Sequence, residues 1–233
     1  MSEAFSRSEL VLGSKSTEIL AGKTVAVFGL GGVGSFAVEG LVRSGIGHLV
    51  LVDHDIISQS NLNRQLYALN STIGMKKTDV ALSRIKDINP KAEVSLYSCF
   101  FDASTMSQFD FSSYDYVVDC IDTISSKILL VEQCTKFQTP LICSMGTGNK
   151  TNPSRLEFAD ISRTSICPLA RVMRQELRKR GILHQMVLYS KEEPVKAFVE
   201  EKEGKRCSTP GSVAFVPSVA GLLISGFIIK ALL

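Results

Sequence analysis

The apolar positions fall into short runs separated by stretches of helical spacing. Lys23 to Leu30 (KTVAVFGL) is an almost unbroken apolar run, the pattern of a parallel strand covered on both faces. After glycines at 31–34, Val33, Ala37, Leu41 and Val42 recur at helical spacing, and Gly45 and Gly47 stop the helix. A second strand, HLVLV at 48–52, ends at Asp53, so residues 23–53 predict a βαβ unit. Val80, Ile85 and Ile88 place a helix over 76–88, closed by Asn89-Pro90. Further strands are predicted at 92–97, 115–120, 140–143 and 156–158. Helices are predicted at 124–137 and 168–180, the second opening on Pro168. Residues 190–209 are charged and contain Gly, Ser and Thr, and read as a mobile crossover segment. The alternation predicts an α/β fold with a doubly wound, mostly parallel sheet.

Composition narrows this little. The 233 residues are 45% hydrophobic and 21% charged, which excludes wholesale disorder and suits one large α/β domain or two small ones. A net charge of +3 permits a nucleic-acid partner without demanding one. The six cysteines form no C-x-x-C pair, so no paired-knuckle zinc site is expected, and their irregular spacing fits reduced thiols. The amino-terminal stretch has no apolar signal segment, so a cytoplasmic location is expected. Val213 to Leu233 is almost wholly apolar. Its helical part after Pro217 is about 24 Å long, short of a ~30 Å bilayer core. It therefore reads as a core or dimer-interface helix, with no membrane expected.

The chemistry starts at Gly29-Leu30-Gly31-Gly32-Val33-Gly34, a G-x-G-x-x-G turn between a strand and a helix. Such glycines admit a nucleotide close to the backbone, and Asp53 at the end of the next strand can accept from a ribose. The turn alone does not choose among NAD, FAD and ATP. Asn61, Asn63 and Arg64 on the following loop, and Lys77 at a helix start, do choose: they suit a triphosphate. Asp119 and Asp122 follow the fourth strand. Asp122 is placed to hold Mg²⁺ beside that triphosphate; Asp119 could equally be a structural cap. None of His48, His54 and His184 has metal-ligand spacing, and His54 is placed to line the nucleotide site.

In order, the G-x-G-G-V-G turn, V-D-H-D at 52–55, S-N-L-N-R-Q at 60–65, G-M-K-K at 74–77 and D-C-I-D at 119–122 resemble the ThiF/MoeB adenylating family, which includes the ubiquitin-activating enzymes. The resemblance implies a Rossmann-like fold, a homodimer, ATP and Mg²⁺, and admits a monovalent cation. It implies ATP contacts at Gly29, Gly31, Gly32, Gly34, Asp53, Asp55, Asn61, Arg64, Gln65, Lys77 and Asp122. Catalytic roles are implied for Arg64, Lys77, the indirectly Mg²⁺-associated Asp122 and Arg7, the last reaching the partner subunit's ATP site. Residues 1–233 would be one adenylating domain, with 23–150 the nucleotide-binding core and 151–233 a substrate-binding and dimer-interface extension.

Two features point within the family. The zinc pairs usual in activators of ubiquitin-like sulfur carriers are missing, and D-N-x-x-x-R is replaced by Asp122-Thr123 with Lys127. With A-D-I-S-R-T at 159–164, the 168–179 stretch and G-S-V-A-F-V-P-S-V-A-G-L at 211–222, the chain resembles the zinc-free branch that dehydrates threonylcarbamoyladenosine in tRNA. The implied reaction adenylates the threonyl carboxylate and then closes a ring. Lys127, Arg163, Arg171, Arg174 and Arg178 form the expected tRNA-facing set, with Lys179 and Arg180 adding to its charge. Cys207 reads as an incidental thiol, and a sulfur-relay protein is a further candidate partner. The alternative is an adenylyltransferase acting on the C-terminus of a ubiquitin-like sulfur carrier.

Overall fold

A computed structural model describes residues 3–195 and 210–233; most of the predicted crossover, including Cys207, lies outside the described residues. Two short helices, α1 (Ser6–Leu12) and α2 (Ser16–Ala21), precede the first strand. The nucleotide-binding half then runs β1 (Thr24–Phe28), α3 (Gly34–Arg43), β2 (His48–Val52), α4 (Lys77–Ile88) and β3 (Glu93–Tyr97). It continues through β4 (Tyr116–Asp119), α5 (Ile124–Phe137) and β5 (Leu141–Ser144). The extension adds β6 (Leu156–Asp160), α6 (Pro168–Lys179), β7 (Met186–Ser190) and α7 (Phe215–Leu232).

The strands form one seven-stranded sheet in the order β3-β2-β1-β4-β5-β7-β6. Every neighbouring pair is parallel except β6–β7, so the antiparallel element is confined to one edge. Central β1, β4 and β5 are buried almost throughout, whereas edge β3 and β6 are only half-buried. The unbroken apolar runs thus mark central strands covered by helices on both faces. Strand alternation divides β1: Val25 and Val27 join the core beneath α3 and α7, while Ala26 and Phe28 face α5 and α6. Phe28 there meets Phe101 and Phe109 at centroid distances of 4.9 and 5.2 Å.

The apolar C-terminal helix begins two residues ahead of Pro217 rather than after it. A proline fits within the first helical turn, where its missing N–H leaves no intrahelical bond unmade. At 18 residues α7 is long and apolar enough to cross a membrane by composition alone. One face of it packs along α3. A Cβ at Gly221 would lie 2.3 Å from the Val33 carbonyl oxygen, and one at Gly40 would meet Ser225 Oγ at 2.0 Å. These glycines bring the two helix backbones close and return the chain's end to the glycine turn.

Candidate active site

The β1–α3 turn is fixed by packing before any ligand is considered. Gly29 has φ +90°, and a Cβ there would stand 2.6 Å from the Cys120 carbonyl oxygen. A Cβ on Gly34 would stand 1.8 Å from the Gly29 carbonyl oxygen. Gly29, Gly31 and Gly32 line an open cavity of about 560 Å³ at the carboxyl edge of the sheet. Asp53 Oδ2 accepts from the Leu30 amide at 2.6 Å, and Oδ1 accepts from the Asp55 amide at 2.8 Å. The carboxylate therefore pins the turn and still has lone pairs for a ribose hydroxyl.

The loop from 53 to 76 folds back on itself. Ile57 donates to the Met75 carbonyl at 2.8 Å, and Lys77 N donates to the Asp55 carbonyl at 3.1 Å. This places the Lys77 ammonium on the cavity wall, 2.6 Å from Asp55 Oδ2 and 3.6 Å from Asp53 Oδ2. Arg64 is anchored through Nη1, which donates to the Ser60 carbonyl at 2.9 Å and Asn63 Oδ1 at 2.8 Å. Its Nε and Nη2 have no partner among the described residues, so the guanidinium is oriented yet open to an anion. Asn61, Gln65 and Asp122 face the same cavity. His54 does so too, edge-on to Phe100 at 4.9 Å. Every expected ATP contact lines this cavity except Gly34, which shapes the turn from behind.

Two features fit a Mg²⁺–triphosphate. Asp122 is exposed, and its only described partner is the Thr123 hydroxyl, 3.3 Å from Oδ1. Gln65 is buried against the cavity with its Oε1 unpartnered. Hard oxygen donors of this kind suit Mg²⁺ or its waters. Asp53, His54 and Asp55 lie close enough together to bind a metal, but Lys77 already supplies the positive charge there.

Sequence reasoning missed part of the wall. Phe100 and Phe101 arrive on the loop after β3, where Ser126 of α5 donates to the Phe101 carbonyl at 2.6 Å. Pro217 and Leu169 enter from α7 and α6. The signal available for the phenylalanines was their place just beyond a parallel strand, at the edge where ligands bind. Residues 210–212 bridge the two sides: Gly211 N donates to Asn149 Oδ1 at 2.7 Å, and Asn63 Nδ2 donates to the Ser212 carbonyl at 3.0 Å.

Of the expected tRNA-facing set, Lys127 departs, while Arg171, Arg174 and Arg178 stay together along α6. Lys127 has no exposed surface; its Nζ lies 2.8 Å from Asp119 Oδ2. It cannot reach a phosphate outside the protein, and its assignment as a tRNA contact is corrected. Asp119 is correspondingly structural. Burial alone would push the Lys127 ammonium down, but the Asp119 carboxylate outweighs it and holds Lys127 above the usual lysine range. Arg174 is half-buried, with Nη1 donating to Thr164 Oγ1 at 2.6 Å and to the Thr164 carbonyl at 2.9 Å. Arg171 and Arg178 are exposed on α6 and line one shallow depression with Arg174, Gln175 and Lys179, while Arg163 is exposed on the turn after β6. Arg7 is exposed on α1, outside the cavity.

The ThiF family model matches residues 5–233. The chain belongs to the ThiF family. This ThiF-family chain is 46% identical to the tRNA threonylcarbamoyladenosine dehydratase of Bacillus subtilis over 243 aligned residues, covering 100% of this chain and 96% of that protein. The dehydratase of Escherichia coli is 34% identical over 176 residues, covering 76% of this chain and 66% of that one. In the crystal structure of the Escherichia coli enzyme TcdA with AMP, the TM-score is 0.89 at 29% identity, with 99% of this chain and 94% of that chain covered. Its complex with ATP also gives a TM-score of 0.89, at 28% identity, covering 99% and 93%. The adenylyltransferase and sulfurtransferase MOCS3 of Drosophila willistoni is more distant: 32% identical over 123 residues, 53% of this chain and 27% of that protein.

Proposed function

We propose that this chain is an ATP-dependent tRNA threonylcarbamoyladenosine dehydratase. The observation that carries the reading is the full-length kinship with the Bacillus subtilis dehydratase, set on a cavity that gathers the glycine turn, Arg64, Lys77 and Asp122. A threonyl carboxylate oxygen attacks the α-phosphorus of ATP, and the bond to pyrophosphate breaks. The neighbouring carbamoyl oxygen then attacks the activated carbonyl carbon, AMP leaves, and a proton departs from the carbamoyl nitrogen. The net change in the nucleoside is loss of one water. Oriented intramolecular attack reaches effective molarities of about 10⁵–10⁸ M, so ring closure asks the protein mainly for positioning.

The glycine turn and Asp53 hold the nucleotide, while Arg64 and Lys77 neutralise the departing pyrophosphate. Asp122 and the Gln65 carbonyl would hold Mg²⁺ or its waters, and the ion when bound would draw further charge from the phosphates. Cysteine chemistry is not needed. Burial pushes the cavity-facing Cys120 thiol up to about 12, so it is no thiolate at neutral pH.

The active form in this reading is a cytoplasmic homodimer, with Arg7 entering the second copy's site. Leu10 and Val11, 86% and 85% exposed beside Arg7 on α1, supply an apolar surface for that contact. Arg163, Arg171 and Arg178 meet tRNA phosphates. A sulfur-relay protein is a further partner in the same reading. The test is pyrophosphate release from ATP with threonylcarbamoylated tRNA or with a ubiquitin-like carrier. Release with the tRNA only, lost in Asp122→Ala, supports the dehydratase; release with the carrier only would transfer the assignment to the carrier-activating alternative.

A further inference from the structure

Lys127 is a buried amine outside the cavity, and neither the nucleotide nor tRNA can touch it. It donates to two backbone carbonyls and forms an ion pair with one carboxylate, and these belong to different parts of the site's floor. Nζ lies 2.8 Å from Asp119 Oδ2 at the end of β4 and donates to the Ile121 carbonyl at 3.2 Å and the Ser144 carbonyl at 2.8 Å. Asp119 Oδ1 in turn accepts from the Ile121 amide at 3.1 Å. Ile121 precedes Asp122, and Ser144 opens the 144–148 turn; both segments line the cavity.

Stability is a poor account of this arrangement. An apolar pair in place of both Lys127 and Asp119 would fill the space without taking two charges out of water. What the amine alone supplies is a set of donors joining two loops that leave adjacent strands. We propose that Lys127 is a positioning residue: it ties the Ile121–Asp122 loop to the Ser144–Gly148 turn, fixing Asp122 against the opposite wall, where the carboxylate-bearing substrate must lie. This rests on the catalytic role given to Asp122 above. The tie needs hydrogen-bond donors rather than charge, so a neutral amine still serves its two carbonyls.

The experiment compares Asp119→Asn, Lys127→Met, the double variant and Asp122→Ala. It measures kcat for pyrophosphate release with threonylcarbamoylated tRNA, ATP affinity by calorimetry, and Tm. Asp119→Asn, which leaves both carbonyl contacts in place, should keep kcat within threefold. The double variant, with no buried charge and no tie, should lose tenfold or more in kcat while ATP Kd stays within threefold. A role limited to charge balance predicts the reverse: both single variants fail and the double variant recovers, which overturns the proposal. Should neither Lys127 variant fold, Asp119→Asn decides, and a kcat loss beyond threefold overturns the tie. Full activity in Asp122→Ala overturns the reading of Asp122 itself. An inactive Asp122→Ala beside an undiminished double variant removes the tie alone.

Discussion

Lys77 and Lys127 sit in the first turns of α4 and α5, and each meets an aspartate at the end of a parallel strand, yet they do opposite work. Lys77 opens onto the cavity and shares two carboxylates, one of them half exposed. Lys127 is sealed beneath the floor, with no exposure on either partner. The difference lies in the connection. Residues 53–76 separate β2 from α4, so that helix starts at the cavity wall. Only residues 120–123 separate β4 from α5. Helical side chains lean back toward the amino terminus, so over so short a link Lys127 reaches down to Asp119. Spacing between an acid and a base in sequence does not say on which side of a loop the pair will lie.

Lys127→Met should therefore be a stability variant before anything else. Leaving Asp119 buried without its partner costs about 3–5 kcal/mol. At ~2–4 °C per kcal/mol for a chain of this size, Tm should fall by about 6–20 °C, read by calorimetry. Lys77→Ala should behave differently: kcat/KM falls about ten- to a hundredfold, the worth of one charge-assisted contact of ~1.5–3 kcal/mol, with a smaller fall in Tm than Lys127→Met because Asp53 keeps its bonds from the Leu30 and Asp55 amides. An unchanged rate with a collapsed Tm in Lys77→Ala would break the comparison.

Glu39 offers an intermediate case. It bridges α3 and α4, accepting from Arg84 Nε at 2.7 Å and Arg43 Nε at 2.7 Å. Burial would raise its pKa, but hydrogen bonds from Arg84 and then Arg43 outweigh that and hold it below 4.5. A lowered folded pKa means that its stabilisation is present above 4.5 and is lost as pH falls through the folded value. Glu39→Gln should thus cost on the order of 1 kcal/mol at pH 7, and the difference should vanish in acid. Urea midpoints of both proteins between pH 7 and 3 measure it.

The central strands and most of the cavity-lining residues were legible for one reason. In a doubly wound sheet, apolar runs mark the strands and their carboxyl ends mark the ligand edge. HLVLV at 48–52 and the helix at 124–137 match β2 and α5 end for end. What stayed hidden depends on distant partners. MVLYS at 186–190 pairs antiparallel with β6 along its length and with β5 at only two positions, so nothing local announced β7. The helices α1 and α2 were not read, and Pro217 reaches the cavity only because α7 packs on α3. Lys127 looked like a surface cation because charge is visible in a sequence and direction is not.

The most direct test of the account is the mass of the nucleoside. Purified protein, ATP, Mg²⁺ and tRNA bearing threonylcarbamoyladenosine are incubated, the tRNA is digested gently, and the modified nucleoside is weighed. The account predicts an ATP-dependent loss of one water, absent with Asp122→Ala. An unchanged mass with active, ATP-binding protein would contradict it.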